Sequence, residues 1–285
     1  MSVVAVFPHL KKEAAIPAAH RLTEELVSRG YDVVMIEGDA KVVGLEAFGT
    51  KSSDVKAKAD FGIVLGGDGA LLQSARFLYP QGTPIFGINL GHMGLLTEFG
   101  AEQIPDVVNL FYEGRYTLEE RLMVYAEIKR NDQLLDPMVA LNDIVVSKGA
   151  LSRMLRLRTS IDGQLVLEYP ADGLIVSSPT GSTAYSLSAG GPIIAPTLST
   201  LVVTPICAHS IFAKPLIVGG NSEIEVTFAV SPTDAMLTAD GQVGVPLAAN
   251  DIVYFKAAPD PTRFIRFKKH GFYEALRDRV KEGKL

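Results

Sequence analysis

The sequence predicts an α/β domain followed by an all-β domain, and three observations favour this fold class. The chain has 285 residues, which is enough for two domains or one large one. Strand and helix signals alternate as far as Tyr116, as in a mainly parallel sheet covered by helices. Beyond Tyr116 strand signals dominate, which indicates a second, β-rich domain.

The first half is expected to begin with a strand at 3–7. A helix over 17–29 follows, because Pro17 suits a first helical turn and Gly30 suits the position after a helix end. A further helix, after the glycines that follow residue 65, is expected to reach Tyr79. The remaining strands of this half are expected at 31–36, 61–65 and 84–89.

In the second half, apolar or alternating runs predict strands at 122–129, 139–146, 155–161, 164–169, 174–178, 223–230 and 251–257. Asp162-Gly163, between two of these runs, is typical of a tight hairpin turn. The last residues return to mixed character, with a strand at 264–267 and a helix at 272–281. We expect this tail to pack back on the first domain.

Composition disfavours several classes of protein. A net charge of -5 argues against non-specific binding of nucleic acid. No apolar run reaches the roughly 18 residues of a membrane span, and the first residues lack the basic region and cleavage site of a signal peptide. The single cysteine, Cys207, fits a reducing compartment, so a cytoplasmic location is expected. Cys207 lies in an apolar run and is expected to be a buried core residue.

The segment 172–196 carries the strongest functional signal. A short apolar run at 174–176 is followed by a stretch, 177–188, in which eight of twelve side chains carry a hydroxyl. Hydroxyls donate and accept hydrogen bonds without charge, and the helix start signals in the same place imply outward-facing N–H groups. Because apolar residues flank the stretch, we interpret it as a binding segment rather than a mobile surface loop.

A second motif, Gly66-Gly67-Asp68-Gly69, directly follows the expected strand 61–65. Glycines at the carboxyl end of a parallel strand let a phosphate approach backbone N–H groups. Asp68 would repel a phosphate, so it suggests a site for Mg²⁺ or a proton acceptor; the alternative is an ordinary helix N-cap. The chain has no P-loop motif, and Leu72 replaces the third glycine of a dinucleotide-binding fingerprint, which disfavours a Rossmann dehydrogenase.

Two shorter motifs and one basic cluster complete the candidates. Asn142-Asp143 suits recognition of a purine edge and a ribose diol, although Asn-Asp is also a common turn. Asp240-Gly241-Gln242 is typical of a hairpin turn. The cluster comprises Lys148, Arg153, Arg156 and Arg158, of which the last two are expected on a solvated strand face. The histidines and the cysteine have no metal-ligand spacing, and no nucleophile elbow occurs.

The segment 172–196 resembles the signature of the NAD kinases, the enzymes that phosphorylate NAD to NADP. The resemblance lies in Asp172-Gly173-Leu174-Ile175, in Thr180-Gly181-Ser182-Thr183-Ala184-Tyr185-Ser186 and in Ala189-Gly190-Gly191-Pro192. The glycine motif is similar to one that these enzymes share with diacylglycerol and sphingosine kinases. The resemblance implies a Rossmann-like α/β domain at 1–115, a β-sandwich-like dinucleotide-binding domain at 116–257, and a tail, 258–285, that returns to the first domain.

The resemblance also implies an activity: transfer of a phosphoryl group to the adenosine 2′-hydroxyl of NAD. ATP, or polyphosphate, would be the donor, together with Mg²⁺ or another divalent cation. A homodimer or homotetramer is expected, because sites in this family draw residues from a neighbouring subunit and because the mean hydropathy of +0.22 is high for a lone soluble chain. A lipid kinase and a catalytically silent NAD(P) sensor remain as alternatives.

By the same resemblance, each candidate residue has an expected role. Asp68 is the expected catalytic base, and the glycines Gly66, Gly67 and Gly69 face the donor. The expected ligands of NAD are Asn142, Thr183 and Ala184 at the adenine, Asp143 and Tyr185 at the ribose, and Asp172 and Ser188 at the nicotinamide end. Ser186 and Leu187 are also expected to bind the dinucleotide. Arg153 and Gln242 match further ligand positions, and Pro170 lies near the nicotinamide. His209 is expected to be structural or to support the site indirectly.

Overall fold

The chain folds into two compact units, residues 1–120 with 262–285, and residues 121–261. The structure is a computed structural model that describes residues 1–91, 94–150, 153–267 and 272–281. None of the helices in these ranges is long and apolar enough to cross a membrane.

The first unit is built on a parallel sheet with helices in the crossovers. Its strands are β1 Val3–Pro8, β2 Asp32–Ile36, β3 Gly49–Thr50, β4 Phe61–Leu65, β5 Ile85–Asn89, β6 Phe99–Gly100 and β7 Thr117–Arg121. Its helices are α1 Ala15–Ser28, α2 Glu37–Val43, α3 Ser52–Lys58, α4 Asp68–Leu78 and α5 Ile104–Tyr112. The order β3-β2-β1-β4-β5 brings the carboxyl ends of β1, β4 and β5 together at one edge of the sheet. Such an edge is where open α/β sheets bind ligands.

The second unit consists of antiparallel strands joined mostly by short turns. They are β8 Val124–Arg130, β9 Gln133–Leu134, β10 Met138–Ala140, β11 Asp143–Lys148, β12 Leu155–Ile161, β13 Gln164–Ala171, β14 Gly173–Ser177, β15 Thr200–Ile206, β16 Leu216–Gly219, β17 Ile224–Phe228, β18 Ala235–Ala239, β19 Val243–Leu247 and β20 Ile252–Ala257. One short helix, α6 Tyr185–Ser188, follows a 3₁₀ turn at Thr180–Thr183.

These strands form two sheets that share one core. One sheet has the order β10-β8-β20-β17-β12-β13, with β9 beside β8, and the other has the order β16-β15-β14-β11-β18-β19. Alternate residues of both sheets enter the same buried cluster, for example Leu157 of β12 and Val146 of β11. Facing sheets that bury alternate side chains form a sandwich, so the predicted all-β half is confirmed.

The tail returns to the first unit, as predicted. Its strand β21, Thr262–Arg266, is parallel to β5, and it lies between β5 and β7 in the sheet. Its helix α7 spans Phe272–Lys281. The tight turn at Asp162-Gly163 is confirmed as well, since both residues adopt a positive φ between β12 and β13.

Two expectations from the sequence are wrong. The strand expected at 139–146 is broken at Leu141 and Asn142, because the backbone there turns toward the side chain of Asp240 instead of continuing the ladder. Cys207 is exposed rather than buried, and its positive φ of 47° places it in a bend directly after β15.

Candidate functional site

The glycine motif forms the turn between β4 and α4 in the first unit. The Gly66 amide donates to the Ile88 carbonyl at 3.0 Å. A Cβ on Gly66 would lie 2.7 Å from the Cβ of Ala70, so a larger residue would push the helix away from the strand. Apart from its chain neighbours, no described residue has an atom within 4 Å of a Cβ built on Gly67, which leaves room for a ligand beside the described part of the turn.

Asp68 begins α4, but its carboxylate bonds to a different segment. Gly67 rather than Asp68 occupies the N-cap position of the helix. The Asp68 carboxylate accepts hydrogen bonds from the amides of Leu95, at 2.8 Å, and Leu96, at 3.2 Å. A Cβ on Gly94 would overlap this carboxylate, so glycine is required for the close approach. The alternative interpretation, that Asp68 is an ordinary helix N-cap, is therefore wrong.

The segment that receives the Asp68 carboxylate is the 94–98 loop, residues Gly94 to Glu98, which the sequence analysis did not single out. Thr97 is buried in it, and its hydroxyl accepts hydrogen bonds from the Gly94 amide, at 3.1 Å, and from the Asn89 side-chain amide, at 3.0 Å. Because Asn89 ends β5, the position of the loop is set by the sheet.

Lys12 is a second residue of the first unit that the sequence analysis missed. It follows β1, is half-buried, and has no ion pair among residues 1–91, 94–150, 153–267 and 272–281. Its Nζ lies 3.2 Å from the point where a Cβ on Gly91 would sit, just beyond β5. A half-buried lysine with no acidic partner among the described residues, at the ligand-binding edge of a parallel sheet, is suited to an anion.

The second unit contains a cavity of about 390 Å³, within the usual range for a small-molecule pocket. It is lined by Asn142, Asp143, Val145, Ser147, Ala184, Tyr185, Thr238, Asp240 and Gly241. The alternation of a β-strand explains how one segment supplies several of these residues. In β11, Asp143, Val145 and Ser147 face the cavity, while Ile144 and Val146 enter the sandwich core. Four residues expected from the sequence, Asn142, Asp143, Ala184 and Tyr185, therefore meet in one pocket.

Asp240 shapes the pocket in a way that the sequence did not reveal. Its carboxylate accepts hydrogen bonds from three consecutive amides, those of Leu141 at 3.2 Å, Asn142 at 2.8 Å and Asp143 at 3.3 Å. Its own amide donates to the Asp143 carbonyl at 2.9 Å. Both Asp240 and Gly241 have positive φ, so the hairpin turn expected there is present and the same turn holds the Asn142-Asp143 backbone.

Two titratable groups of the pocket are perturbed. Burial, and secondarily the nearby Asp240 carboxylate, raise the pKa of Asp143 to about 7. Burial also raises the pKa of the Tyr185 phenol, with smaller contributions from Cys207, Asp143 and Asp172. A buried carboxyl that titrates near neutrality beside a second carboxylate is a common feature of functional sites.

The hydroxyl-rich segment mostly bonds to itself and to neighbouring backbone. The Ser178 hydroxyl donates to the Leu141 carbonyl at 2.5 Å and accepts from the Gly181 amide at 3.2 Å. The hydroxyls of Ser182, Thr183 and Ser186 are also paired within the unit, that of Ser186 with Thr204 at 2.9 Å. These four hydroxyls therefore help to fix the shape of the segment, whereas Tyr185 and Ser188 are its exposed hydroxyl-bearing residues.

The other expected residues lie outside the lining of this cavity. Asp172 is half-buried and pairs with Lys148 at 3.6 Å. The Pro170 carbonyl accepts from the amide of His209, whose side chain is exposed. Of the remaining expected residues, the exposed ones are Ser188, Arg153 and Gln242. Leu187 is half-buried and Ser186 is buried. Arg156 and Arg158 are exposed, which confirms the solvated strand face expected for them.

Known proteins resemble the chain over nearly its whole length. Residues 4–116 match the profile of the ATP-NAD kinase N-terminal domain, and residues 141–267 match that of the ATP-NAD kinase C-terminal domain. The chain is 40% identical over 282 residues to the NAD kinase of Thermoanaerobacter sp. (strain X514), covering 99% of this chain and 100% of that protein. It is 43% identical over 283 residues to the NAD kinase of Moorella thermoacetica, covering 99% of this chain and 90% of the relative.

Solved structures agree with the fold. An NAD kinase from Archaeoglobus fulgidus, solved in complex with ATP, superposes with a TM-score of 0.75 at 26% identity and covers 99% of both chains. Yeast NADH kinase, solved with NADH, superposes with a TM-score of 0.89 at 23% identity, covering 99% of this chain and 88% of that one. With both halves matched and relatives at 40% identity or more over the full length, the chain belongs to the NAD kinase family.

Proposed function

We propose that this protein transfers the γ-phosphoryl group of ATP to the adenosine 2′-hydroxyl of NAD, giving NADP and ADP. It would thus be a phosphotransferase that acts on an alcohol group. The observation that carries the proposal is full-length identity of 40% to an NAD kinase, with both family domains matched. The open glycine turn in the first unit and the Asn142-Asp143 pocket in the second supply the chemistry that the two substrates require.

The second unit is proposed to hold NAD. The Asn142 side chain can both donate to and accept from a purine edge, and the ionised Asp143 carboxylate can accept from the two hydroxyls of a ribose. Tyr185 offers a half-exposed ring and a hydroxyl in the same cavity. The assignments of Thr183, Ala184, Ser186, Leu187, Ser188, Asp172, Pro170, Arg153 and Gln242 to NAD remain proposals that rest on the resemblance.

Asp68 is proposed as the base of the reaction. As the bond forms between the 2′-oxygen and the γ-phosphorus, the 2′-hydroxyl proton passes to the Asp68 carboxylate, and the bond to the bridging oxygen breaks to release ADP. The amides of Leu95 and Leu96 are among the groups that donate to this carboxylate. Those two bonds fix the direction in which the carboxylate faces.

A divalent cation such as Mg²⁺ is proposed to accompany the donor. Within the described ranges, no group of three or more acidic, histidine or cysteine residues could hold such an ion. Mg²⁺ is commonly bound by one or two carboxylates together with substrate phosphates, and Asp68 is the carboxylate at the glycine turn. The ion would neutralise charge that develops on the transferred phosphoryl group.

The test of the function is incubation of the protein with NAD, ATP and MgCl₂, followed by mass spectrometry of the products. NADP and ADP in equal amounts are expected. Phosphorylation of an added diacylglycerol, with none of NAD, would instead support a lipid kinase. Tight NAD binding by calorimetry without any product would support a silent sensor. Replacing ATP by polyphosphate tests the alternative donor.

Binding of NAD is expected to tighten as the pH rises from 6 to 8. The ionised form of Asp143 accepts the ribose hydroxyls, and its pKa of about 7 means that the proton must leave before NAD binds well. Below that pKa the dissociation constant should rise by up to about tenfold per pH unit. Calorimetric titrations with NAD between pH 6 and 8 should show this dependence of the dissociation constant on pH in the parent but not in Asp143→Asn. The same dependence in both proteins would contradict the assignment of Asp143 to the ribose.

The same raised pKa lowers the free energy of unfolding as the pH rises from 3.8 to about 7, because the folded state holds the proton longer than the unfolded chain.

Lys12→Ala is expected to raise the KM for ATP about 5- to 10-fold while changing the KM for NAD little. Lys12 is half-buried, has no ion pair among the described residues and is proposed to approach a donor phosphate. Removing its ammonium group should therefore weaken the binding of ATP by about 1 kcal/mol or somewhat more. Lys11→Ala is the matched control, because Lys11 precedes it in the chain and is exposed. Equal effects of the two substitutions in steady-state assays would show that general surface charge, not Lys12, attracts the donor.

Assembly and location are also proposals. We infer that the active form is a homodimer or homotetramer, which light scattering of the active protein would test. A cytoplasmic location remains a prediction from the sequence.

A further inference from the structure

Arg266 ends the returning strand β21 and makes several hydrogen bonds within the first unit. Its side chain is only 11% exposed. Its guanidinium donates to the Leu96 carbonyl at 2.8 Å, to Glu98 at 3.4 Å and to Glu119 at 3.2 Å. The next amide along the chain, that of Phe267, donates to the other carboxylate oxygen of Glu98 at 3.1 Å. The end of β21 is thus bonded to the 94–98 loop through both a side chain and the backbone.

That loop is the one that receives the Asp68 carboxylate. Leu96 accepts from Arg266 through its carbonyl and donates to Asp68 through its amide. The overlap of a Cβ on Gly94 with the Asp68 carboxylate shows how little space separates the loop from the acid. A shift of the loop must therefore move the two amides that orient Asp68.

We propose that Arg266 is a positioning residue for the phosphoryl transfer, acting through the 94–98 loop on the orientation of Asp68. The proposal rests on the function proposed above. It assigns a role in the reaction to the tail of the chain, which lies almost 200 residues after Asp68 in sequence.

The geometry requires the guanidinium group in particular. Arginine presents donors on several sides of a rigid plane, so it can bond Leu96 and Glu119 at the same time, whereas a lysine ammonium is a single point on a flexible stem. Arg263 lies on the same strand and provides a matched contrast. It pairs with Glu120 at 3.1 Å, but the two side chains are 44% and 60% exposed, and no bond to the 94–98 loop is found among the described residues.

The test compares Arg266→Ala and Arg266→Lys with Arg263→Ala. A catalytic group misplaced by about 1 Å can lose about 10²-fold in rate, so kcat should fall about 10- to 100-fold in Arg266→Ala, with the KM for NAD changed less than about twofold. Arg266→Lys should recover part of the loss, since it keeps a positive charge between Glu98 and Glu119. Arg263→Ala should remain within about twofold of the parent in both constants, as expected for an exposed pair.

Hydrogen exchange of the backbone provides a second readout that needs no activity. The amides of Leu95 and Leu96 should lose protection in Arg266→Ala and keep it in Arg263→Ala. Parental kcat in a folded Arg266→Ala protein, or equal losses in Arg263→Ala, would overturn the proposal. If Arg266→Ala does not fold, Arg266→Lys tests the proposal instead. Parental kcat and parental protection of the two amides in that variant would show that the guanidinium group is not needed, which would overturn the proposal. If the parent makes no NADP, the proposed function fails, while unchanged exchange at Leu95 and Leu96 would separately refute the contact through the loop.

Discussion

Asp68→Asn is expected to lower kcat by about 10²–10⁴-fold, the usual cost of losing a general base, while the Kd for NAD stays within about twofold. The amide has the size of the carboxylate but cannot accept the 2′-hydroxyl proton. NAD affinity should persist, because the proposed contacts with NAD belong to the second unit. Steady-state kinetics and calorimetry on the same preparation measure both quantities.

The structure adds a complication to this experiment, because Asp68 also holds the 94–98 loop. The amides of Leu95 and Leu96 donate to different oxygens of the Asp68 carboxylate, but an asparagine side chain has only one acceptor oxygen. The substitution therefore perturbs the loop as well as the chemistry. Thr97→Val separates the effects, since it removes the acceptor used by Gly94 and Asn89 but leaves the carboxylate in place. A kcat in Asp68→Asn within about threefold of the parent, or no lower than in Thr97→Val, would mean that Asp68 orders the loop and is not the base.

Much of the fold could be predicted because long apolar runs dominate both units. Strand β4 matches its predicted range, and the hairpin at Asp162-Gly163 follows from local turn chemistry alone. The elements that were not predicted include the short helices α2 and α3 and the strands β16, β18 and β19. Strands β18 and β19 are as long as β4, but their Ala, Gly and Pro residues weaken the local strand signal, and pairing with each other and with β11 decides their conformation.

The candidate site shows the same limit more sharply. Asn142, Asp143, Ala184 and Tyr185 lie in recognisable motifs, and they line one pocket. Asp240, by contrast, bonds to amides 97 to 99 residues away, and no local pattern in the sequence indicates such a contact. The type of a residue also does not reveal whether its hydroxyl bonds to a ligand or to the protein itself. Ser186 is an expected ligand contact from the sequence, yet its hydroxyl pairs with that of Thr204 inside the protein.

The second large effect is expected for Gly181→Ala, in the 3₁₀ turn beside the pocket. A Cβ at this position would overlap the carbonyl group and the Cα of Asn142, which are backbone atoms and cannot move aside by a change of rotamer. The Asn142 carbonyl also accepts from the Ser178 amide at 2.8 Å, so the two segments are bonded at the point where they would be forced apart. Overpacking of this kind costs about 1–3 kcal/mol of stability.

The displacement should weaken the binding of NAD as well as the fold, because it moves the residue proposed to contact the adenine. Loss of a well-placed polar contact costs about 1–3 kcal/mol, equivalent to a rise in Kd of about 5- to 150-fold. Gly219→Ala is the matched control: it lies in the same unit, is exposed, and would bring its Cβ no closer than 3.8 Å to Ser222. Thermal unfolding and calorimetry of both variants decide the matter. A lower Tm with parental NAD affinity would confine Gly181 to a role in folding. A parental Tm together with a parental Kd for NAD would show that the Asn142 backbone can shift without changing the pocket.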